Sequence, residues 1–454
     1  MRQFFTALTM NNTRDDTVVG RKYFQQQFQS QQPPQRQDED DQHDFFGKPK
    51  PEYQTVGLTL ENAEMTTVYM PDIEQIPEPS SNESLESQPP SINHEGLDRE
   101  ITTIYVSDEL NYRAGSELIE ELVRIGEENG FSVLTTATNG NIWVEDTTIR
   151  LHNGKVYIPN RTANVFYNVF DRDGGEGVIG SRKHISDISQ GTVAQQPNSA
   201  NQYIGTIPEE NRVYGLSYLE GGNVLNCRLA DGSPGAVIGA ESIDYTMRAM
   251  ELEDTPENRE IAKKQIAKDL ELPETSITYI PQFDFHIDMW FRPLQNGVMA
   301  VPDFAGGISM LTEILKSPDG ITLEEKEKLE VLRDSLLIME ENTKQFIIDA
   351  EENLHAAGYE TIKIPCFSAL ESAHPKNYKR NLIPRVNFMN GVGATNGKRE
   401  TYYMTNTSGI PKLNDRIAQY FKEQAHIDNV YFMSSNNLQR FYGGFDCTTT
   451  EYTK

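Results

Sequence analysis

Cysteine and tryptophan are scarce in this chain, and long apolar runs are missing. Its 454 residues hold 3 cysteines and 2 tryptophans. Cys227, Cys366 and Cys447 are odd in number and lack CxxC spacing. Neither a disulfide framework nor a zinc site is indicated, and free thiols fit a reducing, cytoplasmic compartment. No apolar stretch approaches the roughly 20 residues that cross a bilayer. The opening MRQFFTALTM has a very short apolar patch and no credible cleavage site, so neither a signal peptide nor a membrane partner is expected. Basic residues are in deficit, 41 against 68 acidic, for a net charge of −27. Phosphate binding needs clustered Lys and Arg, so nucleic acid is not an expected partner. No GxGxxG follows a strand and no GxxxxGK[ST] is present, which removes the dinucleotide fold and the P-loop.

What is present divides the chain in two. The hydrophobic share of 37% and mean hydropathy of −0.58 are low enough to leave part of the chain outside any core. That part is residues 1–97, where KYFQQQFQSQQPPQRQDEDDQHDFF and DIEQIPEPSSNESLESQPPSINHEG are rich in Gln, Pro, Ser and acid. Such composition predicts a mostly disordered arm, since it cannot bury enough apolar surface to offset chain entropy. Residues 1–99 carry 8 basic and 17 acidic groups, so two-thirds of the net charge belongs to the remainder.

From REITTIYVSDEL onward, short β runs alternate with helical patterns, which is the signature of an α/β domain over 98–454. NYRAGSELIEELVRIGEENG reads as an amphipathic helix with Leu118, Ile119, Leu122 and Ile125 on one face, stopped by Gly130. FSVLTTAT, KVYIPN and NVFYNVF read as strands, and GAVIGAES as a strand running into a helix. A helical insertion near 307–358 precedes the late strands ETIKIPCF, RVNFMNGVGA, ETYYMTNT and NVYFMSS. The insertion suits a cap over a site, an interaction surface or core, and its periodicity does not choose among them. No sequence repeat of fixed period is seen.

Four short stretches combine acids, glycines and possible nucleophiles. FDRDGG holds Asp171, Arg172 and Asp173; YLEGGN holds Glu220; DFHIDMWFRP holds His286 and Asp288; GGFDCT holds Cys447. Singly, each has a plain structural explanation. Acids beside glycines make turns, a His-x-Asp pair sits hydrogen-bonded in a core, and cysteine is commonly buried filler. Together they describe a thiol with a base nearby and three carboxylates, Asp173, Glu220 and Asp288. Acids repel an oxyanion but suit a planar cation with several N–H donors, and a guanidinium is such a cation. The chemistry expected is thiolate attack on a guanidinium carbon.

The ordered motifs FDRD, LEGG, HID and a near-terminal GGxxC resemble the guanidino-group-modifying enzymes, the pentein superfamily, which includes arginine and agmatine deiminases. The resemblance implies a five-bladed α/β propeller of pseudo-fivefold symmetry with its site in a central channel. It implies that Asp173, with Arg172 beside it, and Asp288 bind the guanidinium. It implies that Glu220 holds the guanidinium from another side and orients His286, that His286 shuttles protons, and that Cys447 forms a thiouronium adduct. The reaction requires no metal and no cofactor. Its partner is a guanidino small molecule or an arginine-containing protein, and oligomeric state is not readable. Amidino transfer would use the same residues, and a binding-only relative would keep the fold. Thiol-dependent deamidation of glutamine would need fewer acids. Two departures from the family pattern stand out. FDRD lacks a preceding Trp and a following Gly-Pro, and Asp446 precedes Cys447, where agmatine deiminases have His. An acid there raises the thiol pKa if the side chains meet. Asn387, Asn390 and Asn406 are candidate polar contacts or turn residues. An acidic arm is unusual on a metabolic enzyme and makes a secreted or translocated protein the second reading of location.

Removing residues 1 to about 95 is expected to leave the melting temperature unchanged. A clear drop would show that this stretch packs.

Overall fold

The computed structural model describes residues 94–108, 110, 117–136, 142–158, 207–284, 286–368, 386–435, 438 and 444–453. The chain divides into two units, Met1–Ser87 and Gln88–Lys454, and every described residue lies in the second. The expected strand NVFYNVF and the expected site residues Asp171, Arg172 and Asp173 lie outside the described residues.

Five three-stranded sheets repeat one pattern among the described residues. β1 (Ile101–Ser107) is flanked by β2 (Ser132–Thr136) and β15 (Thr449–Thr453). The other sheets follow chain order. They are β3 (Ile149–Arg150), β4 (Val156–Ile158) and β5 (Arg212–Tyr214); β6 (Val224–Arg228), β7 (Pro234–Gly239) and β8 (Ile277–Ile280); β9 (Arg292–Gln295), β10 (Val298–Asp303) and β11 (Glu360–Pro365); and β12 (Gly391–Thr395), β13 (Thr401–Asn406) and β14 (Asn429–Met433). In each, the central strand is antiparallel to one neighbour and parallel to the other.

A parallel pair needs a crossover, and helices supply it in four of the five sheets among the described residues. α1 (Glu117–Asn129) joins β1 to β2, and its Leu118, Leu122 and Ile125 are buried at helical spacing before Gly130 ends it at φ 85. α2 (Glu241–Ala249) and α3 (Pro256–Asp269) join β7 to β8. Thr255 caps α3 by accepting from the Asn258 N–H, with Pro256 in the first turn.

The expected helical insertion is likewise a crossover. α4 (Phe304–Lys316) and α5 (Leu323–Ala356) join β10 to β11. Thr322 and Glu325 form a reciprocal cap on α5, whose Leu329, Leu332, Leu336, Met339, Ile347 and Leu354 are buried. Those side chains belong to the same core cluster as β10 and β11, so the stretch is core rather than a cap. α6 (Pro411–Gln424) joins β13 to β14.

The sequence pattern passed over β9 and β10, in each of which a proline, Pro293 or Pro302, stands before the strand's last residue. Proline breaks the usual strand signature.

The repeat places one segment ahead of the first strand of each unit. Glu145, Glu220, Asp288, Asn387 and Phe445 each stand four residues before the starts of β3, β6, β9, β12 and β15. Three of these segments share the same tight turn, with Thr148 N–H on Glu145 O, Asn223 N–H on Glu220 O and Thr448 N–H on Phe445 O.

Residues 94–97, which composition assigns to the arm, pack in the folded unit, so a truncation that leaves the melting temperature unchanged must stop before His94. Glu95 pairs backbone with Asn226 of β6, and the Leu97 N–H donates to Leu294 O of β9. Thr395 of β12 donates its hydroxyl to Leu97 O. The composition window averages over a boundary that the chain crosses within a few residues. Leu97→Ala is expected to destabilise the protein by about 2–4 kcal/mol, the usual cost of emptying a buried leucine site. A thermal or denaturant melt unchanged by the substitution would contradict this packing.

Candidate active site

The segments ahead of the first strands converge, and they bring together four of the residues singled out in the sequence. Cys447 Sγ lies 3.3 Å from Asp288 Oδ2, to which the thiol donates. His286 Nε2 lies 2.7 Å from Glu220 Oε2. A carboxylate only accepts, so that ring nitrogen carries its proton. Tyr218 OH donates to the other Glu220 oxygen at 3.3 Å.

His286 and Asp288 are both buried. Their placement needs Gly222, whose carbonyl accepts from the Ile287 and Asp288 N–H groups at 3.0 Å. A Cβ on Gly222 would sit 2.4 Å from His286 Nδ1, so only glycine lets the two turns approach this closely.

Two further acids complete the cluster, and sequence reading did not nominate them. Asp146 Oδ1 faces His286 Nδ1 at 3.5 Å. One carboxylate oxygen each of Glu145 and Asp288 lies within 4.8 Å of Cys447 Sγ and of the other. Any cation entering here, a metal ion included, would meet all three. Glu145 Oε2 and Asp288 Oδ1 are buried and receive no hydrogen bond among the described residues. Glu145 and Asp146 follow Trp143 in NIWVEDTTIR, ahead of a two-residue strand too short to show periodicity. The one available signal was an acid pair next to a turn.

Asn390 touches the site directly, donating through Nδ2 to Asp288 Oδ2 at 2.6 Å and lying 3.3 Å from Cys447 Sγ. Its Oδ1 accepts from the Asp446 N–H at 3.0 Å. Asn406 fixes the preceding residue, its Oδ1 accepting from the Phe445 N–H while Nδ2 donates to Asn387 O and Asn390 O. Asn387 holds its own turn by accepting from the N–H groups of Met389 and Asn390. Of the three asparagines, one is a contact at the sulfur and two tie backbone. Gly444 permits this fit, because a Cβ there would lie 2.1 Å from Asn390 Oδ1.

Crowded acids shape the electrostatics. Burial, then the neighbouring Asp288, Glu145 and Asp146 carboxylates, push the Cys447 thiol well above its ordinary pKa. Burial followed by the charges of Asp446, Asp288 and Glu95 pushes Glu145 upward as well. Asp288 is raised from 3.8 to about 6, first by burial, with His286 opposing and Asp146 adding.

The acid beside Cys447 does not face the sulfur. Asp446 is paired through both oxygens with the guanidinium of Arg292, whose Nη2 donates at 3.1 Å. Burial opposes the charge on Arg292, but Asp446 and Glu95 outweigh it and hold the group further above its usual pKa.

No family model matches the chain, and no curated protein does. Among solved structures it is similar to an agmatine deiminase of C. jejuni, at 12% identity over 80% of this chain and 96% of that one, with a TM-score of 0.43. It is similar to an agmatine deiminase of Enterococcus faecalis, at 12% identity over 80% and 96%, with a TM-score of 0.45. The N-terminal domain of a cyanobacterial arginine dihydrolase matches at 11% identity over 78% and 98%, with a TM-score of 0.36. At such identities likeness carries no function from one chain to another.

The Asp288 shift has a consequence for stability. Its folded-state pKa is above its unfolded value, so the folded state holds the proton more tightly between about pH 4 and 6. Stability is therefore lost as pH rises through that window, and the cost is complete above it. Asp288→Asn is expected to raise the melting temperature at pH 8 by a few degrees and to change it little at pH 4. A lower melting temperature at pH 8 would show that the carboxylate stabilises the fold.

Proposed function

We propose that this chain is a guanidino-group-modifying hydrolase of the pentein superfamily, with Cys447 as nucleophile. The observation that carries the reading is a buried thiol donating to Asp288 at 3.3 Å, with a second carboxylate within reach and a carboxylate-held histidine beside it. Such a setting is completed by a cation that reacts with sulfur. The five like sheets are read as the blades of a propeller about one axis, with β15 closing the first. The domain is proposed to span 98–454 together with the packed residues just before it.

In this reading the guanidinium lies between Asp288 and Glu145, donating to the oxygens that receive no other hydrogen bond. Its charge offsets the carboxylates that oppose ionisation of the thiol, so bound substrate favours the thiolate. The thiol proton passes to Asp288, and sulfur bonds to the guanidinium carbon. Doubly protonated His286, held by Glu220, protonates a terminal nitrogen, and the C–N bond breaks to release ammonia. Water then attacks the thiouronium carbon as His286 takes its proton. The C–S bond breaks, sulfur recovers its proton from Asp288, and a ureido product leaves. The remaining proton departs with ammonia as ammonium.

Asp173, with Arg172 beside it, is the further acid that the motif order nominates for the cation. Asp173→Asn and Glu145→Gln should each weaken guanidino binding by about 2–5 kcal/mol if both charges meet the substrate. The variant that binds normally identifies an acid without that contact.

The reaction itself is tested by incubating wild type and Cys447→Ala with arginine, agmatine and a peptidylarginine panel, assayed for ammonia and ureido product. Ureido product from wild type alone is the expected result, and the preferred substrate names free or peptidyl specificity. Turnover by Cys447→Ala would remove the nucleophile assignment. Transfer to an added amine without ammonia release would replace hydrolysis by amidino transfer. Binding without any product would leave a binding protein.

A further inference from the structure

Arg292 is the first residue of β9, and its side chain is almost wholly buried at 2% exposure. It stands four residues beyond Asp288 and turns into the same interior. Its guanidinium meets Asp446 through two nitrogens and Glu95 Oε2 at 3.5 Å. Glu95 is itself fixed, accepting the Asn226 N–H at Oε1 at 3.0 Å while its backbone pairs with Asn226. Three residues far apart in sequence thus form one buried line, Glu95 to Arg292 to Asp446, ending next to Cys447.

The chain carrying Glu95 is anchored at several points. Leu97 bonds to β9 and β12, and Arg99 donates to Gly393 O of β12 at 2.9 Å and to Glu451 of β15 at 3.3 Å. Glu95 also borders a polar cavity lined by Arg99, Glu145, Arg150 and Glu451 among others.

We infer that Arg292, oriented by Glu95, is a positioning residue for Cys447. It holds the Asp446 carboxylate turned away from the sulfur and cancels its charge. The inference rests on Cys447 being the reactive thiol of the proposed function. Charged groups surround this sulfur from four of the five segments around it. Glu145 and Asp146 come from the turn before β3, and Glu220 from the turn before β6. His286, Asp288 and Arg292 come from the approach to β9, and Asp446 is the adjacent residue. The turn before β12 contributes uncharged Asn390. Among the described residues in that set, Arg292 is the lone permanent cation. Without it, Asp446 becomes one more carboxylate opposing ionisation of the thiol. Without Asp446, the Arg292 charge is left partly uncompensated and favours the thiolate.

A purely structural pair would respond in one direction when either member is removed, whereas this arrangement predicts opposite signs. The measurement is the rate of iodoacetamide alkylation of Cys447 against pH, read from the Cys447 peptide by mass spectrometry. Arg292→Met is expected to move the midpoint upward and slow labelling at pH 8 by about tenfold, the effect of one pKa unit on thiolate fraction. Asp446→Asn is expected to move it downward and speed labelling by a similar factor. The double variant should return to within about threefold of wild type, since the two charges are removed together. Should Arg292→Met fail to fold, Glu95→Gln takes its place in the comparison. It and Asp446→Asn each remove an anion from Arg292, and both should label faster than wild type.

Slower labelling in Asp446→Asn and Glu95→Gln, or a midpoint unmoved in every folded variant, would overturn the inference. Ammonia release is followed in parallel on wild type. Opposed shifts in labelling without any guanidino turnover would support the positioning role while sinking the hydrolase reading alone.

Discussion

Like charges buried together are the constraint on which this structure turns. Glu145, Asp146, Glu220, Asp288 and Asp446 converge on one interior, and the described residues offer few fixed counter-charges there. Arg292 answers Asp446, and His286 sits between Glu220 and Asp146. Glu145 and Asp288 face a thiol, a weak donor, and Asp288 gains only the neutral amide of Asn390 besides. Burial drives carboxylates toward neutrality, and mutual repulsion drives them further in the same direction. A site in this condition is costly while empty and improves when a cation enters. That is the energetic logic of the guanidinium site proposed above.

The same constraint explains why so many uncharged residues are spent on holding backbone in place. Asn390 and Asn406 tie the N–H groups of Asp446 and Phe445, so the turn bearing Cys447 is fixed from two sides. Ser435 donates to Asn406 Oδ1 at 2.6 Å and fixes that asparagine in turn. Gly222 and Gly444 allow contacts that any side chain would block. Breaking a buried ion pair by removing one partner commonly costs about 3–5 kcal/mol, whereas replacing the whole pair by apolar groups is often neutral. The Arg292–Asp446 pair is thus a weak reason for the fold to be stable and a strong reason for the turn beside it to have one geometry.

Much of this was legible from residue order. Alternating β and helical periodicities announced the α/β class, and Leu118, Leu122 and Ile125 fell on the buried face of α1 as their spacing required. Glu220, His286, Asp288 and Cys447 carried their own chemical signature and do meet. Glu145 and Asp146 did not, because a two-residue strand leaves no pattern by which to locate the turn before it. Arg292 was visible only as the end of a motif, and nothing in one sequence pairs it with Asp446, 154 residues away. The repeat was invisible for a related reason. What recurs is strand pairing and the position of a turn, and backbone hydrogen bonds do not depend on side-chain identity. Asp446 shows the opposite failure. Adjacency to Cys447 suggested an electrostatic conflict, which the side chain avoids by turning to a partner contributed by another sheet.

The pairing of β1 with β15 also fixes an order of events. Ile101 lies opposite Thr453, so the first sheet gains its outer strand only after the ribosome has delivered the other fourteen strands of the described residues. Closing so long a loop adds an entropic term that grows only slowly with length, but it delays the contact. Cys447 sits at the mouth of that late strand. A nascent chain therefore carries its buried acids and its sulfur apart, and the thiol meets Asp288 in the same step that completes the sheet.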